Sequence, residues 1–258
     1  MMSSGNRPNH PNFSSEKMTS SNLAPLGKGG SDLQPNSMES NWLLELRESP
    51  VIAVIRSPDL QIGRKMAIAV AAGGIKSIEI TANSDRPWDL IELLKAELPQ
   101  CSIGTGTVIT LADLRNAIAC GAKYIFTPHL DPSLVQMAIA SNIPIIPGAL
   151  TPTEIITAWQ TGATAIKVFP IQAVGGIDYL KVLQGPIGQI PLIPTGGVTI
   201  DNAPDFIAAG AVGVGLAGGL FPLGELHQAD WASITNRASN LIARIHLNRL
   251  GINPQSHS

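Results

Sequence analysis

Aromatic and charged side chains are scarce in this 258-residue chain, at 4% and 14% of the residues. So few aromatic residues argue against the stacking surfaces that bind single-stranded nucleic acid. The 17 Lys and Arg residues nearly balance the 19 Asp and Glu residues and form no basic stripe, so nucleic acid is not an expected partner. We expect a core built from Ala, Ile, Leu and Val.

Cysteine and long apolar runs are also scarce. Cys101 and Cys120 have neither metal-binding nor redox spacing, and we expect both to be reduced and buried. No run reaches the roughly 18 apolar residues of a membrane-spanning helix, and the N-terminus lacks the apolar segment of a secretory signal. These absences predict a cytoplasmic protein that has no membrane partner.

The chain divides by composition into three parts. Residues 1–40 are rich in Ser, Asn, Pro and Gly, which predicts either a disordered tail or a translation start placed too early, with Met18 or Met38 as the true start. An organelle transit peptide ranks third, because Arg7 is the only arginine there. Residues 41–250 are predicted to form one folded domain, and residues 251–258 are predicted to be disordered.

Short apolar runs alternate with capped helical segments from Val51 onward. Helix starts are predicted at Ser57-Pro58, Thr110, Asp131-Pro132 and Thr151, where capping residues precede apolar periodicity. In the first helix, Ile62, Met66, Ala69 and Val70 are expected to share a buried face, and the segment 231–247 is predicted to be a closing helix. The predicted strands are 51–55, 77–81, 102–107, 124–128, 143–147, 165–170, 191–194 and 212–216.

Eight such units indicate an α/β fold of the compact (β/α)8 TIM-barrel type. Parallel strands that are buried on both faces explain why the strand segments are almost continuously apolar. A doubly wound open sheet is the alternative, but no glycine-rich dinucleotide-binding motif follows the first strand.

Two strands each contain one ionisable residue among apolar ones. Lys167 is the only charge in the segment 165–170, and Glu79 is the only charge in the segment 77–81. Burial disfavours the ammonium form, and a neutral amine is a nucleophile that attacks carbonyl carbons. A carboxylate on the same sheet can transfer protons. The pair predicts Schiff-base chemistry.

Further polar or distinctive residues stand at the predicted strand ends, where barrels place their active sites. Glycines cluster after strands seven and eight, where barrels often bind phosphate through backbone N–H groups. We expect these residues to surround the Lys167–Glu79 pair. They are Arg56, Thr107, Pro128, Phe169, Thr195, Gly196, Gly197 and Gly218.

Five segments together resemble the 2-keto-3-deoxy-6-phosphogluconate (KDPG) and 4-hydroxy-2-oxoglutarate (KHG) aldolase family. They are Ile78-Glu79-Ile80-Thr81, Gly104-Thr105-Gly106-Thr107-Val108, Ile146-Pro147-Gly148, Lys167-Val168-Phe169-Pro170 and Pro194-Thr195-Gly196-Gly197, within residues 45–225. The resemblance implies a homotrimeric class I lyase that needs neither a metal nor an organic cofactor. It would cleave a phosphorylated 2-keto-3-deoxy sugar acid to pyruvate and glyceraldehyde 3-phosphate, with KHG as a further substrate.

The same resemblance implies a role for each site residue. Lys167 would form the Schiff base, and Glu79 would move protons. Thr107 would hold the pyruvate carboxylate. Phe169 and Pro128 would form walls of the pocket, and Gly196 and Gly197 would contact the phosphate.

Two features depart from the gluconate pattern and keep other functions open. Asn83-Ser84 stands where one branch of the family has an arginine, and a galactonate-specific branch shares Asn-Ser together with an arginine like Arg56, which could bind the carboxylate. Gly218 replaces the family's phosphate-loop serine. The alternatives are a 2-keto-3-deoxy-6-phosphogalactonate aldolase, a phosphate-binding isomerase or synthase, and a non-catalytic barrel that binds a sugar acid.

Overall fold

The computed structural model describes residues 40–252, so the expectations for residues 1–39 and 253–258 lie outside the described part of the chain. Its strands all pair in parallel. They are β1 Val51–Ile55, β2 Ser77–Thr81, β3 Ser102–Gly106, β4 Ile125–Phe126, β5 Ile145–Ile146, β6 Gly148–Ala149, β7 Ile166–Val168, β8 Leu192–Pro194 and β9 Val214–Leu216.

The strands form a closed eight-stranded barrel. Hydrogen bonding gives two runs, β5-β4-β3-β2-β1-β9 and β6-β7-β8. β5 and β6 are two halves of one barrel strand, interrupted at Pro147, which has no backbone N–H to donate. A parallel bridge between Thr195 and Gly215 joins β8 to β9 and closes the ring. The prediction of a (β/α)8 barrel is confirmed.

Helices connect consecutive strands, and no helix within residues 40–252 is long and apolar enough to span a membrane. Three predicted N-caps are confirmed, since the side chains of Thr110, Asp131 and Thr151 each accept a backbone N–H of the first turn. The helices are α1 Asn41–Glu48, α2 Leu60–Ala72, α3 Pro87–Glu97, α4 Leu111–Ala119, α5 Pro132–Ala140, α6 Pro152–Gln160, the 3-10 turn Ile171–Val174, α7 Ile177–Ile187, α8 Ala203–Ala208, α9 Leu223–His227 and α10 Trp231–Arg249.

The predicted start of α2 at Ser57-Pro58 is wrong. The N-cap is Asp59, whose side chain accepts the N–H of Ile62 at 2.9 Å. Ser57 is buried, and its hydroxyl donates to the Asp59 carbonyl at 2.6 Å, so it is not free to cap a helix. Ile62 was also expected on the buried face but is 38% exposed, whereas Met66, Ala69 and Val70 are buried.

Alternate residues of each strand face opposite sides of the barrel wall. Ala53, Ile78, Ile103 and Ile166 belong to the core between the strands and the surrounding helices. Their neighbours in sequence face the interior of the barrel, and together with residues of α1 they form a second apolar cluster, whose buried members are Trp42, Leu43, Leu46, Ile52, Tyr124, Phe126, Ile146, Ala165, Ile193 and Val212.

Helix α1 covers one end of the barrel interior and supplies part of its aromatic content. The Trp42 ring lies 4.5 Å from the Tyr124 ring and 6.1 Å from the Phe126 ring, measured between centroids. Leu46 is fully buried and approaches Gly213 at the start of β9. Ala, Ile, Leu and Val predominate in both clusters, as expected, and three aromatic rings join them at this end of the interior.

The role of α1 can be tested with two leucines two residues apart. Leu46→Ala leaves a cavity in the barrel interior and should lower the free energy of unfolding by about 2–5 kcal/mol. Leu44→Ala changes a side chain that is 47% exposed and should cost less than about 1 kcal/mol. Urea unfolding of both variants makes the comparison. Equal losses would contradict the assignment of Leu46 to a cover of the barrel.

Candidate active site

Glu79 lies inside the barrel on β2, and neighbouring strand β3 makes room for it. The residue is 2% exposed. A Cβ atom at Gly106 would lie 1.7 Å from Glu79 Oε1, so the carboxyl group occupies the space that any side chain at position 106 would need. Oε1 has no hydrogen-bond partner among the described residues. Burial raises the pKa of Glu79 above its ordinary value, and the positive charges of Lys167 and Arg56 offset part of this effect.

Lys167 reaches the same interior from β7 and is 6% exposed. Its Nζ atom lies 4.8 Å from the centroid of the Phe169 ring and 5.9 Å from that of the Phe126 ring. Both distances are within the range in which an aromatic face stabilises positive charge. The structure therefore brings the predicted amine and carboxylate into one interior, with aromatic faces beside the amine.

Arg56 directly follows β1 and lies in phase with its inward-facing residues, Ile52 and Val54. Its positive charge counters part of the effect of burial on the pKa of Glu79. The backbone beside it is held to the next loop, because the N–H of Ser57 donates to Ser84 Oγ at 3.2 Å and Asp85 N–H donates to the Ser57 carbonyl at 2.8 Å. Ser84 thus connects Arg56 to the end of β2.

Thr107 follows Gly106 in a backbone conformation that disfavours its residue type. Its φ angle is +59°, in the left-handed region that β-branched residues rarely adopt. The predicted third strand consequently ends one residue early, at Gly106. Strained backbone of this kind is typical of functional sites. The conformation turns the chain at the mouth of the barrel, where the carboxylate-binding role was expected.

The remaining predicted residues lie around this end of the barrel. Phe169 is 37% exposed, Pro128 is half-buried, and Thr195 forms the bridge that closes the barrel. A Cβ atom at Gly196 would lie 3.0 Å from the Phe169 ring, so the loop after β8 approaches the residue that follows β7. The loops are also hydrogen-bonded, since Gln172 N–H donates to the Gly196 carbonyl at 3.1 Å.

The two proposed phosphate loops differ in their glycines: those after β8 have positive φ angles, and the one after β9 lies in open space. Gly196 and Gly197 have φ angles of +84° and +97°. Asn202 supports them, accepting the Thr199 N–H at 2.8 Å and donating to the Gly197 carbonyl at 3.3 Å. Gly218 is exposed, and a Cβ atom there would meet nothing within 4 Å. Glycine at this position is therefore not required by packing.

Three residues have contacts in the site that were not predicted, although Ser84 was noted with Asn83 as a feature shared with the galactonate-specific branch. Phe126 lies beside Lys167 Nζ, Gly106 provides the space for Glu79, and Ser84 fixes the backbone after Arg56. The period of two along the strands could have identified the first two, because it places them on the interior face. No local pattern identifies Ser84, whose partner Ser57 is 27 residues away.

The buried carboxyl group should make stability depend on pH. A folded-state pKa raised above 4.5, the ordinary value, means that the fold loses stability as the pH rises from that value through the folded-state pKa. Glu79→Gln removes this loss, so the variant should gain stability relative to the wild type as the pH rises from about 5 to about 8. Urea unfolding at both pH values measures the gain.

An exposed glutamate provides the control for this measurement. Glu48→Gln on α1 removes a solvated carboxylate and should reproduce the pH dependence of the wild type. A Glu79→Gln variant whose stability follows the wild type at both pH values would contradict the raised pKa.

Comparisons with known proteins agree with this geometry. The family model of KDPG and KHG aldolase matches residues 44–237. A 2-dehydro-3-deoxy-phosphogluconate aldolase from Dickeya dadantii is 33% identical over 198 residues, covering 77% of this chain and 93% of the relative. A KHG/KDPG aldolase from Escherichia coli is 32% identical over 197 residues, covering 76% and 92%.

Solved structures lead to the same family. The KDPG aldolase from Legionella pneumophila, with pyruvate captured at low pH as a covalent carbinolamine, is 30% identical with a TM-score of 0.73, covering 79% of this chain and 99% of the other. The resemblance inferred from the five sequence segments is confirmed at the family level. With its family match, its barrel and its buried lysine and glutamate, this chain belongs to the KDPG and KHG aldolase family.

Proposed function

We propose that the protein is a class I aldolase, a lyase that cleaves KDPG to pyruvate and glyceraldehyde 3-phosphate. The observation that carries the proposal is the burial of Lys167 and Glu79 in one barrel interior, where the positive charge of Lys167 acts on Glu79. The family membership supports the substrate class. KHG, which would give pyruvate and glyoxylate, is the second substrate that the family name suggests.

The chemistry begins at Lys167 Nζ. The neutral amine adds to the C2 ketone and forms a carbinolamine, which loses water to give a protonated imine. Glu79 in its protonated form supplies the proton that leaves with this water, and the raised pKa of its carboxyl group favours that form. The faces of Phe126 and Phe169 stabilise the positive charge that the imine retains at nitrogen.

Cleavage uses the imine as an electron acceptor. Glu79, now a carboxylate, takes the proton from the C4 hydroxyl group, the C3–C4 bond breaks, and its electron pair forms an enamine while the aldehyde leaves. The enamine gains a proton at C3, and water then hydrolyses the imine to release pyruvate and restore the amine. Water lost in the first stage is thus replaced in the last, and the reaction needs neither a metal nor an organic cofactor.

The rim residues bind the two ends of the substrate. Arg56 and Thr107 are assigned to the carboxylate beside the ketone, and Pro128 and Phe169 to the pocket wall. Backbone N–H groups around Thr195, Gly196, Gly197 and Gly218 are assigned to the phosphate, since glycine loops allow close approach of an anion. The family resemblance also supports a homotrimer and a cytoplasmic location.

The galactonate alternative rests on Arg56 and Asn83-Ser84, and a non-catalytic barrel rests on Gly218 and Asn83. The relatives compared above have names that refer to gluconate or to KHG and KDPG, which favours the gluconate assignment. The interior position of Lys167 and Glu79 favours catalysis over simple binding.

Borohydride reduction in the presence of pyruvate tests the central step. The reagent should convert the imine to a stable secondary amine, adding the reduced pyruvate mass to a peptide that contains Lys167. Lys167→Ala should lose the adduct and nearly all cleavage activity, and Lys181→Ala, at an exposed lysine paired with Asp178, serves as the matched control. An adduct on any other residue, or full activity of Lys167→Ala, would refute the mechanism.

Arg56 can be assigned to one end of the substrate by comparing KDPG with KHG. Both substrates have a carboxylate beside the ketone, but only KDPG has a phosphate. If Arg56 binds the carboxylate, Arg56→Ala should raise KM for both by a similar factor, about tenfold or more, as expected for a charge-assisted hydrogen bond of about 1.5–3 kcal/mol. The KM values of Arg56→Lys should fall between those of the wild type and of Arg56→Ala, because lysine keeps the charge but loses the bidentate geometry. An effect restricted to KDPG would move Arg56 to the phosphate.

A further inference from the structure

Three buried polar atoms in the barrel interior have no hydrogen-bond partner among the described residues. They are Glu79 Oε1, the hydroxyl oxygen of Tyr124 and the indole nitrogen Nε1 of Trp42. Tyr124 is fully buried and Trp42 is 5% exposed. Buried polar groups in native proteins are nearly always hydrogen-bonded to protein or to ordered water, so three in one region require an explanation.

Two glycines on β3 bring Tyr124 towards Glu79. The strand register places Glu79 beside Gly104, and the N–H of Thr105 donates to the carbonyl of Tyr124, so Gly104 separates the two side chains. Ring atoms of Tyr124 lie 2.4–2.6 Å from the position that a Cβ atom at Gly104 would occupy. The Glu79 carboxyl group occupies the corresponding space at Gly106. The side chains of Glu79, from β2, and Tyr124, which precedes β4, therefore both lie over β3, the strand between them.

The electrostatics agree with this placement. Burial first, and then the negative charge of Glu79, raise the pKa of Tyr124 well above its usual range, so its hydroxyl stays neutral and can donate. The groups that act on Glu79 from other strands are Lys167 on β7 and Arg56 after β1, and Cys101 also acts on Tyr124. The Trp42 ring lies 4.5 Å from the Tyr124 ring and brings a second donor, its indole N–H, to this region.

We propose that Tyr124 is a positioning residue for Glu79, acting through one internal water that also accepts the indole N–H of Trp42. The water accepts from the Tyr124 hydroxyl and from Trp42 Nε1, and it donates to Glu79 Oε1. Three polar partners are the usual number for a buried water.

This arrangement would moderate the proton affinity of the carboxyl group. Burial favours the protonated form of Glu79, whereas a donated hydrogen bond favours the carboxylate. The proposed reaction requires both forms in turn, so the tyrosine would keep proton release accessible. This consequence rests on the proposed function, but the hydrogen bond itself does not.

The direct test is titration of Glu79 by carbon NMR in protein labelled at glutamate carboxyl carbons, with Glu79→Gln to assign the signal. Tyr124→Phe should lower the acid dissociation constant of Glu79 about fivefold, as expected for loss of a hydrogen bond to a charged group. In kinetics, the alkaline limb of kcat/KM, where the protonated form of Glu79 is lost, should move to higher pH by the same fivefold change in proton concentration. An unchanged titration would overturn the proposal.

Tyr179→Phe is the matched control, because the Tyr179 hydroxyl is paired with the Leu150 carbonyl at 2.5 Å, and this variant should lose stability without moving the Glu79 titration. If Tyr124→Phe behaves in the same way, Tyr124 only packs. If Tyr124→Phe does not fold, a wild-type crystal structure that shows ordered water decides, since solvent density in contact with all three atoms supports the proposal and its absence refutes it. The titration needs no turnover, so a negative borohydride experiment would refute the aldolase mechanism alone.

Discussion

Keeping a glutamate inside a closed parallel barrel is the constraint on which the rest of this site depends. A carboxylate without solvent is costly, and Glu79 Oε1 lacks a hydrogen-bond partner among the described residues. Two features of the fold reduce this cost. Burial raises the pKa of the group, which favours its neutral form, and the positive charges of Lys167 and Arg56 offset part of this effect. The raised pKa and the nearby positive charges both suit the proposed proton transfer as well as stability.

Strand β3 shows how the barrel wall accommodates this group. A side chain at Gly106 would collide with the Glu79 carboxyl, and one at Gly104 would collide with the Tyr124 ring. Between them, Thr105 points the other way and donates to the Ile80 carbonyl at 2.8 Å, which fastens β3 to β2. Gly104 and Gly106 therefore leave space for the Tyr124 ring and the Glu79 carboxyl group. Thr105 attaches β3 to β2, and Thr107 turns the chain after the strand. Its residue types follow from side-chain volume as much as from direct contact with substrate.

The sequence predicts the elements that depend on local patterns. Strands β1 and β2 have their predicted limits, and the caps at Thr110, Asp131 and Thr151 form as expected, because period-two apolar runs and short-range capping need only neighbouring residues. The cap at Ser57 was wrong because its hydroxyl bonds locally and its N–H pairs with Ser84, which is distant in sequence. Lys167 and Glu79 were identified because a charge in an apolar strand is visible without knowledge of tertiary contacts.

The interior of the barrel was less predictable, since its contents come from separate parts of the chain. Few aromatic residues are present, so the composition could not show that three of them would cluster in the barrel interior. Trp42 of α1, Tyr124 and Phe126 nevertheless pack against one another, and Phe126 lies beside the amine of Lys167. Phe126 contributes to both regions: its ring packs against Tyr124, 5.7 Å away, and its face lies near Nζ. Packed rings therefore form a continuous path from α1 to Lys167 Nζ, which connects the covered end of the barrel to the predicted Schiff-base lysine.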